Sequence, residues 1–304
     1  MNKIKSKKQK HFNSVLGFFM ILIMIITIYP VWFSIINSLE SAKSISKNGY
    51  ALLWCREFTI ESWKAVLNNI NILSAFFITF SRTVIVIVLQ TLVTAMFAYG
   101  FSRSNLRGKG FYKTLGLLSM YLNGGIIAYF ILFNTLKLYD SYWVYIIPCL
   151  FGGFYNVIIF NANFKEIPEA LIESAKMDGA SEYRIFFKIV MPLSKPVLSA
   201  LGIFTAVGTW NDYTQTLYYT KSPDLQTLSY YILVITKSSE SASKLGESMG
   251  MAASSILSTM SSNATSYKTI ELACMLLSVI PLIVMYPFAQ KFFEKGVMVG
   301  SVKG

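Results

Sequence analysis

The stretch ESAKMDGASEYRIFFKIVMP, from Glu173 to Pro192, packs acids and bases closely in a chain that is 54% hydrophobic. Its side chains suit charge-assisted docking rather than covalent chemistry. The chain holds a single histidine, His11, in a basic tail, and its three cysteines, Cys55, Cys149 and Cys274, have no metal-ligand spacing. Neither a G-x-x-x-x-G-K-[ST] phosphate loop nor a G-x-S-x-G elbow occurs, so catalysis by this chain has no residues to rest on. Within the charged stretch, Pro168 suits a first helical position and Glu169 the positive end of the helix dipole. A short helix runs to Met177 and breaks at Gly179, where a left-handed residue costs least. Ser181 caps a second helix that places Tyr183, Phe186, Phe187 and Val190 on one face, and Pro192 ends it. Such a helix–Gly turn–helix elbow docks into a groove of a partner protein or lies on lipid headgroups, and spacing alone supports both equally.

The elements that must position this elbow are membrane helices. Mean hydropathy is +0.51 and only 14% of residues are charged. Apolar runs long enough to cross a bilayer recur at 15–36, 83–101, 112–136, 143–164, 196–217 and 270–289. In lipid every backbone polar group needs a partner, so such runs form helices. The sequence therefore specifies an all-α polytopic membrane protein with six transmembrane helices. The first run follows MNKIKSKKQK but is too long for a signal peptide, contains Tyr29-Pro30 and shows no small-x-small cleavage site.

Basic residues give the orientation. With the amino terminus inside, the inner pieces are the tail 1–14, the loop 102–111, the loop 165–195 and the tail 290–304. With Lys113 they hold 17 of the 27 Lys and Arg residues. Their net charge is +11 against +1 for the remainder, as the positive-inside rule requires. The formal +12 is thus a topology signal and calls for no nucleic acid. Arg82, at the outer end of the second span, is expected to snorkel to the headgroups. The Asn123-Gly124-Gly125 break in the third span reads as close packing with small residues rather than as a gate hinge.

Glu173, Ala175, Gly179, Ile189 and Pro192 reproduce the spacing E-A-A, three residues, G, nine residues, I-x-L-P. This resembles the signature loop of importer permeases of the ATP-binding-cassette (ABC) class, with Ser174 replacing the middle alanine and Met191 the leucine. Beyond the loop, AKMDGASEYRIFFKIVMPLSKPVLSALGIFTAVGTWND is similar to the carbohydrate-importer branch, as in the smaller permease subunit of the maltose transporter. MYLNGGIIAYFIL and YPFAQKFFEKGVMVGSVKG resemble a subgroup of low-GC Gram-positive bacteria linked with oligosaccharides from complex plant or host glycans. The ending also matches the place where such permeases stop, so no appended regulatory domain is expected.

The resemblance implies a type I ABC importer permease fold in a bacterial plasma membrane, with both termini cytoplasmic. It implies a second permease subunit, two ATPase subunits that use ATP and Mg, and an extracellular lipid-anchored solute-binding protein. No cofactor is expected on this chain. By the same resemblance the elbow is a coupling helix: Glu173 is the ionic contact to the ATPase, Gly179 the turn and Asp178 a cap or contact, with Ala175, Ile189 and Pro192 completing the motif. Lys295, Gly296, Ser301 and Lys303 of the tail are expected at the ATPase, or else at anionic lipid. For the sugar path the fifth span offers Gly208, Trp210, Asn211, Tyr213 and Gln215, with Gly208, Asn211 and Gln215 on one helical face; an interfacial aromatic belt is the other reading of its aromatics. The polar external stretch 218–269, with 37–73, is expected to receive the binding protein. A permease of the same class for a non-sugar solute, and a self-sufficient secondary transporter, stand as the alternatives; the latter leaves the elbow unexplained.

Overall fold

A computed structural model describes residues 7–103, 106–122, 124–237 and 268–287. Helix is the only extended secondary structure among them, apart from one isolated antiparallel bridge between Glu40 and Phe58. Helix α1 (Lys7–Ser38) is followed by two short helices, α2 (Ala42–Asn48) and α3 (Glu61–Leu67). Helix α4 (Ile70–Ser102) is the second long one, and α5 (Lys109–Tyr121) and α6 (Gly125–Thr135) divide the third apolar run. Then come α7 (Gly153–Lys165) and α8 (Glu169–Met177), followed by α9 (Glu182–Leu193) and α10 (Lys195–Asn211). The last are α11 (Thr214–Tyr219), α12 (Leu228–Lys237) and α13 (Lys268–Pro287). Three of these helices are long and apolar enough to span a membrane, and six spans result if each bent pair counts as one.

Two compact units are distinguished, one from residues up to Ile70 with Ile232–Val279, the other from Asn71–Tyr231 with the end of the chain. In the first, α1 ends at Ser38, whose hydroxyl accepts a hydrogen bond from the Trp63 indole of α3 at 3.1 Å. Also in the first unit, Thr236 of α12 donates to Glu271 of α13 at 2.8 Å.

In the second unit the core is made by α4, α7, the elbow and α10: Ala95, Ala98, Phe101, Val157, Phe160 and Leu201 are buried together. A second cluster gathers Phe133, Leu138, Val144, Tyr145 and Tyr219. Close helix approach is set by glycine: a Cβ at Gly116 of α5 would stand 2.3 Å from the Phe154 ring of α7.

Several spans are broken where the sequence suggested continuous helices. The second begins at Ile70 rather than at 83. At about 1.5 Å per residue that makes α4 about 50 Å long, well beyond a hydrocarbon core of about 30 Å. In the third, Gly125 adopts φ +74° with open space at its Cβ position, so the glycine supplies a turn and not the tight packing expected. The fourth consists of 3-10 turns over Tyr142–Cys149 bent 47° from α7, with Gly153 at φ +78°. The fifth stops at Asn211.

Candidate functional site

The elbow forms as its residues dictate. Helix α8 follows Pro168 and carries Glu169 in its first turn. It ends in a Schellman turn: the Gly179 amide donates to the Lys176 carbonyl at 3.0 Å and the Ala180 amide to the Ala175 carbonyl at 2.9 Å. Gly179 takes φ +75°, which a side chain would strain. The Ser181 hydroxyl then accepts from the Arg184 amide and starts α9. Between Phe186 and Val190 the helix widens to a π turn. Pro192 lacks an amide hydrogen and its ring crowds the carbonyl four residues back, at Lys188, so a wider turn relieves both problems. At Ser194 the chain bends 81° into α10.

Four side chains anchor this elbow: Ile172, Ile185, Phe186 and Val190 are buried in the core of the second unit. Tyr183 and Phe187, grouped with Phe186 and Val190 by periodicity, remain exposed. The helix face is therefore divided, one part for the core and one part uncovered. Glu173, Asp178 and Pro192 are exposed, and Ala175 and Ile189 are half-buried. Met177 is 88% exposed at the turn.

One residue that sequence reasoning counted only as an acid ties the elbow to α4. Glu182 accepts from Lys176 at 2.7 Å and from the Tyr99 hydroxyl at 2.6 Å. Arg103 stands 3.8 Å from the same carboxylate, with its guanidinium 4.2 Å from the Tyr99 ring centroid. The Lys176 bond first, and the Tyr99 hydroxyl next, hold the Glu182 carboxyl below the ordinary carboxylate range. Between α4 and the elbow lies an open cleft of about 900 Å³. Its walls include Met96, Arg103, Glu169, Glu173, Glu182 and Tyr183. The arrangement is a charged and aromatic elbow tied to the long helix α4 through Glu182, Tyr99 and Arg103.

The candidate path residues are not brought together. Trp210 is buried, its ring meeting Phe76 edge-on at 5.8 Å. Asn211 is exposed, but its amide donates to the Val207 carbonyl of its own helix at 3.0 Å. Because α10 ends at Asn211, Gln215 lies on α11 and shares no continuous face with Gly208 and Asn211. Gln215 instead donates to Cys149 Sγ at 3.3 Å, and Tyr213 is exposed. Lys295, Gly296, Ser301 and Lys303 lie outside the described residues, as does 238–267 of the external stretch.

Polar groups gather instead at the helix breaks. Arg82 does not snorkel: it is fully buried, and its Nη2 donates to the carbonyls of Thr209 at 2.7 Å and Asp212 at 2.5 Å. Its guanidinium carbon stands 5.0 Å from the Tyr145 ring centroid. The end of α10 leaves carbonyls without helical partners, and Arg82 supplies the donors. The Asp212 carboxylate accepts from the Thr214 amide at 3.0 Å and from the Thr214 hydroxyl, so it starts α11. At the other break the Gly152 amide donates to Thr94 Oγ1 at 3.0 Å. A Cβ there would meet the amide nitrogens of Gln90 and Asn156 at 2.5 and 2.8 Å. Span-level hydropathy hid these groups; an arginine and a glutamine within one apolar run were the available signals.

Comparison with known proteins agrees with this architecture. Residues 90–299 match the family described as binding-protein-dependent transport system inner membrane component. The chain is 31% identical to the polygalacturonan/rhamnogalacturonan transport system permease protein YtcP of Bacillus subtilis, covering 98% of this chain and 100% of that protein. It is also 31% identical to protein LplC of the same organism, covering 92% and 90%. The arabinooligosaccharides transport system permease protein AraQ of Halalkalibacterium halodurans is 25% identical over 93% of each. Among solved structures, a chain of a bacterial ABC transporter involved in import of the acidic polysaccharide alginate shares the fold, with TM-score 0.78 and 23% identity over 96% of this chain and 100% of that one. The self-sufficient transporter is thereby set aside. The chain belongs to the family of binding-protein-dependent transport system inner membrane components, and is the multi-pass permease subunit of an ABC importer.

Proposed function

We propose that this permease moves an oligosaccharide inward across the plasma membrane by alternating access, with its elbow, 169–192, seated in a separate ATPase. The observation that carries the coupling is the elbow's construction. Its buried face is locked to the core through Ile172, Ile185, Phe186 and Val190, while Met177 stays uncovered at the turn and Glu173 and Tyr183 are exposed along the cleft beside α4. Closure of an ATPase dimer around ATP would then move the elbow and its helices as one body, nucleotide binding supplying the free energy through its different affinity for the two states. The proposed orientation, with both termini and the elbow in the cytoplasm, is supported by the basic charge of the loops assigned to the inner side.

The substrate class rests on two of the relatives named above, the permease proteins of a polygalacturonan/rhamnogalacturonan and of an arabinooligosaccharides transport system. A solved alginate transporter holds a periplasmic protein carrying an alginate pentasaccharide, and this chain shares its fold at TM-score 0.56 and 14% identity. A second permease and a solute-binding protein, docked on polar external surface, complete the proposed assembly. Uptake of labelled pectic, arabinan-derived and neutral oligosaccharides by cells with and without this chain tests the class. Loss of uptake of one oligosaccharide family on deletion, restored by the intact chain, is expected. Unchanged sugar uptake with loss of an amino acid or peptide would overturn it.

A further inference from the structure

The loop that follows α1 turns its polar groups inward and one apolar tip outward. Asn37 pairs twice with Ala51: Nδ2 donates to the carbonyl at 2.8 Å, and Oδ1 accepts from the amide at 2.9 Å. Buried Glu40 accepts from the Arg56 amide at 2.6 Å, the Glu57 amide at 3.3 Å and the Ser44 hydroxyl at 2.5 Å. Arg56 in turn donates to the carbonyls of Asn48 at 3.0 Å and Gly49 at 3.2 Å. Between these pins stand Leu52, Leu53 and Trp54, exposed by 62%, 62% and 76%.

The tip does not project away from the membrane. Trp54 meets Trp32 of α1 edge-on at 6.0 Å, and the Trp32 indole donates to the Leu53 carbonyl at 3.1 Å. Tyr50 lies 5.7 Å from Phe33, also on α1. Trp32 precedes the helix end at Ser38 by six residues, about 9 Å along the axis. The apolar span Phe12–Ser38 has 27 residues, about 40 Å, so each end overhangs a hydrocarbon core of about 30 Å by about 5 Å. A side chain held against Trp32 thus sits at or just inside the hydrocarbon boundary.

We infer that Leu52, Leu53 and Trp54 form a wedge inserted into the lipid interface beside α1. Lipid is the occupant because the tip continues the uncovered apolar surface of a spanning helix that is only 6% buried. Lys43 and Lys47 on α2 and the aromatic pair Trp32–Trp54 are the residue types that headgroup boundaries favour. The leaflet, the outer one, rests on the orientation proposed above; the depth does not. The wedge removes the Leu52–Trp54 tip from the surface offered to a solute-binding protein.

The test uses the assembled transporter in vesicles of phosphatidylcholine and phosphatidylglycerol. The emission lost on Trp54→Phe isolates the signal of Trp54. Lipids brominated near the headgroup are expected to quench that emission by about two-fold or more, and aqueous iodide to quench it weakly. Quenching by iodide and not by bromolipid overturns the proposal, as does protection from both, which would mean that a protein covers the tip. Should Trp54→Phe fail to assemble, a nitroxide at Leu53→Cys, relaxed by oxygen in preference to a soluble nickel chelate, reads the same depth. A membrane-impermeant maleimide reacting with Lys47→Cys in intact cells reports the side, so a wrong orientation and a wrong depth are separable.

Discussion

At the residue scale, the side chain that departs most from expectation is Arg82. A guanidinium at membrane depth is tolerated because two carbonyls at the end of α10 need donors, and the Tyr145 ring covers its face. Arg82→Met keeps the bulk and removes the donors, so the carbonyls of Thr209 and Asp212 lose this partner. Two hydrogen bonds to a charged group contribute about 3–6 kcal/mol, and removing the buried Nε and Nη1, which have no partner, offsets part of it, so a loss of about 2–4 kcal/mol is expected. Thermal unfolding of the detergent-solubilised transporter checks this, and an unchanged midpoint would contradict the capping role. Glu182 works more gently. Its side chain is 53% exposed, and solvent screening limits what its bonds to Lys176 and Tyr99 contribute. Its value is geometric, holding α8 and α9 at a fixed angle to α4.

At the element scale, the spans are built around breaks rather than as uniform cylinders, and glycine decides where helices approach. Gly116 faces the ring of Phe154, which belongs to the buried core. Gly116→Ala would force that ring or the helix to shift, and overpacking of this kind costs about 1–3 kcal/mol. A lowered midpoint for Gly116→Ala, against little change for the open position Gly100→Ala, is the expected pattern in the same unfolding measurement.

The elbow was legible in the sequence because its determinants are local. The turn at Gly179, the cap at Ser181 and the stop at Pro192 each act within a few residues. The breaks at Asp212 and Gly152 were not legible, because they depend on partners supplied from α4: a donor, Arg82, 130 residues from Asp212, and an acceptor, Thr94, 58 residues from Gly152. Hydropathy averages over such pairs and reports one apolar run. For the same reason the burial of Trp210 against Phe76, on another helix, was not legible in its own span.

At the scale of the whole molecule, the chain is a permease subunit of an importer family in which the ATPase is a separate chain. Its sequence carries no phosphate loop, its charge asymmetry supports the orientation proposed above, and its exposed elbow is the surface proposed to meet the ATPase. The measurement that bears most directly on this account is a mild-detergent pull-down of the tagged chain from its native membranes, with mass spectrometry of the proteins that accompany it. The wild-type chain is expected to bring down a second, different permease and a Walker-motif ATPase. Gly179→Pro, which cannot adopt φ +75° at the turn, is expected to keep the permease and lose the ATPase. Recovery of this chain alone and still able to transport, or an ATPase retained undiminished by Gly179→Pro, would contradict the coupling role of the elbow.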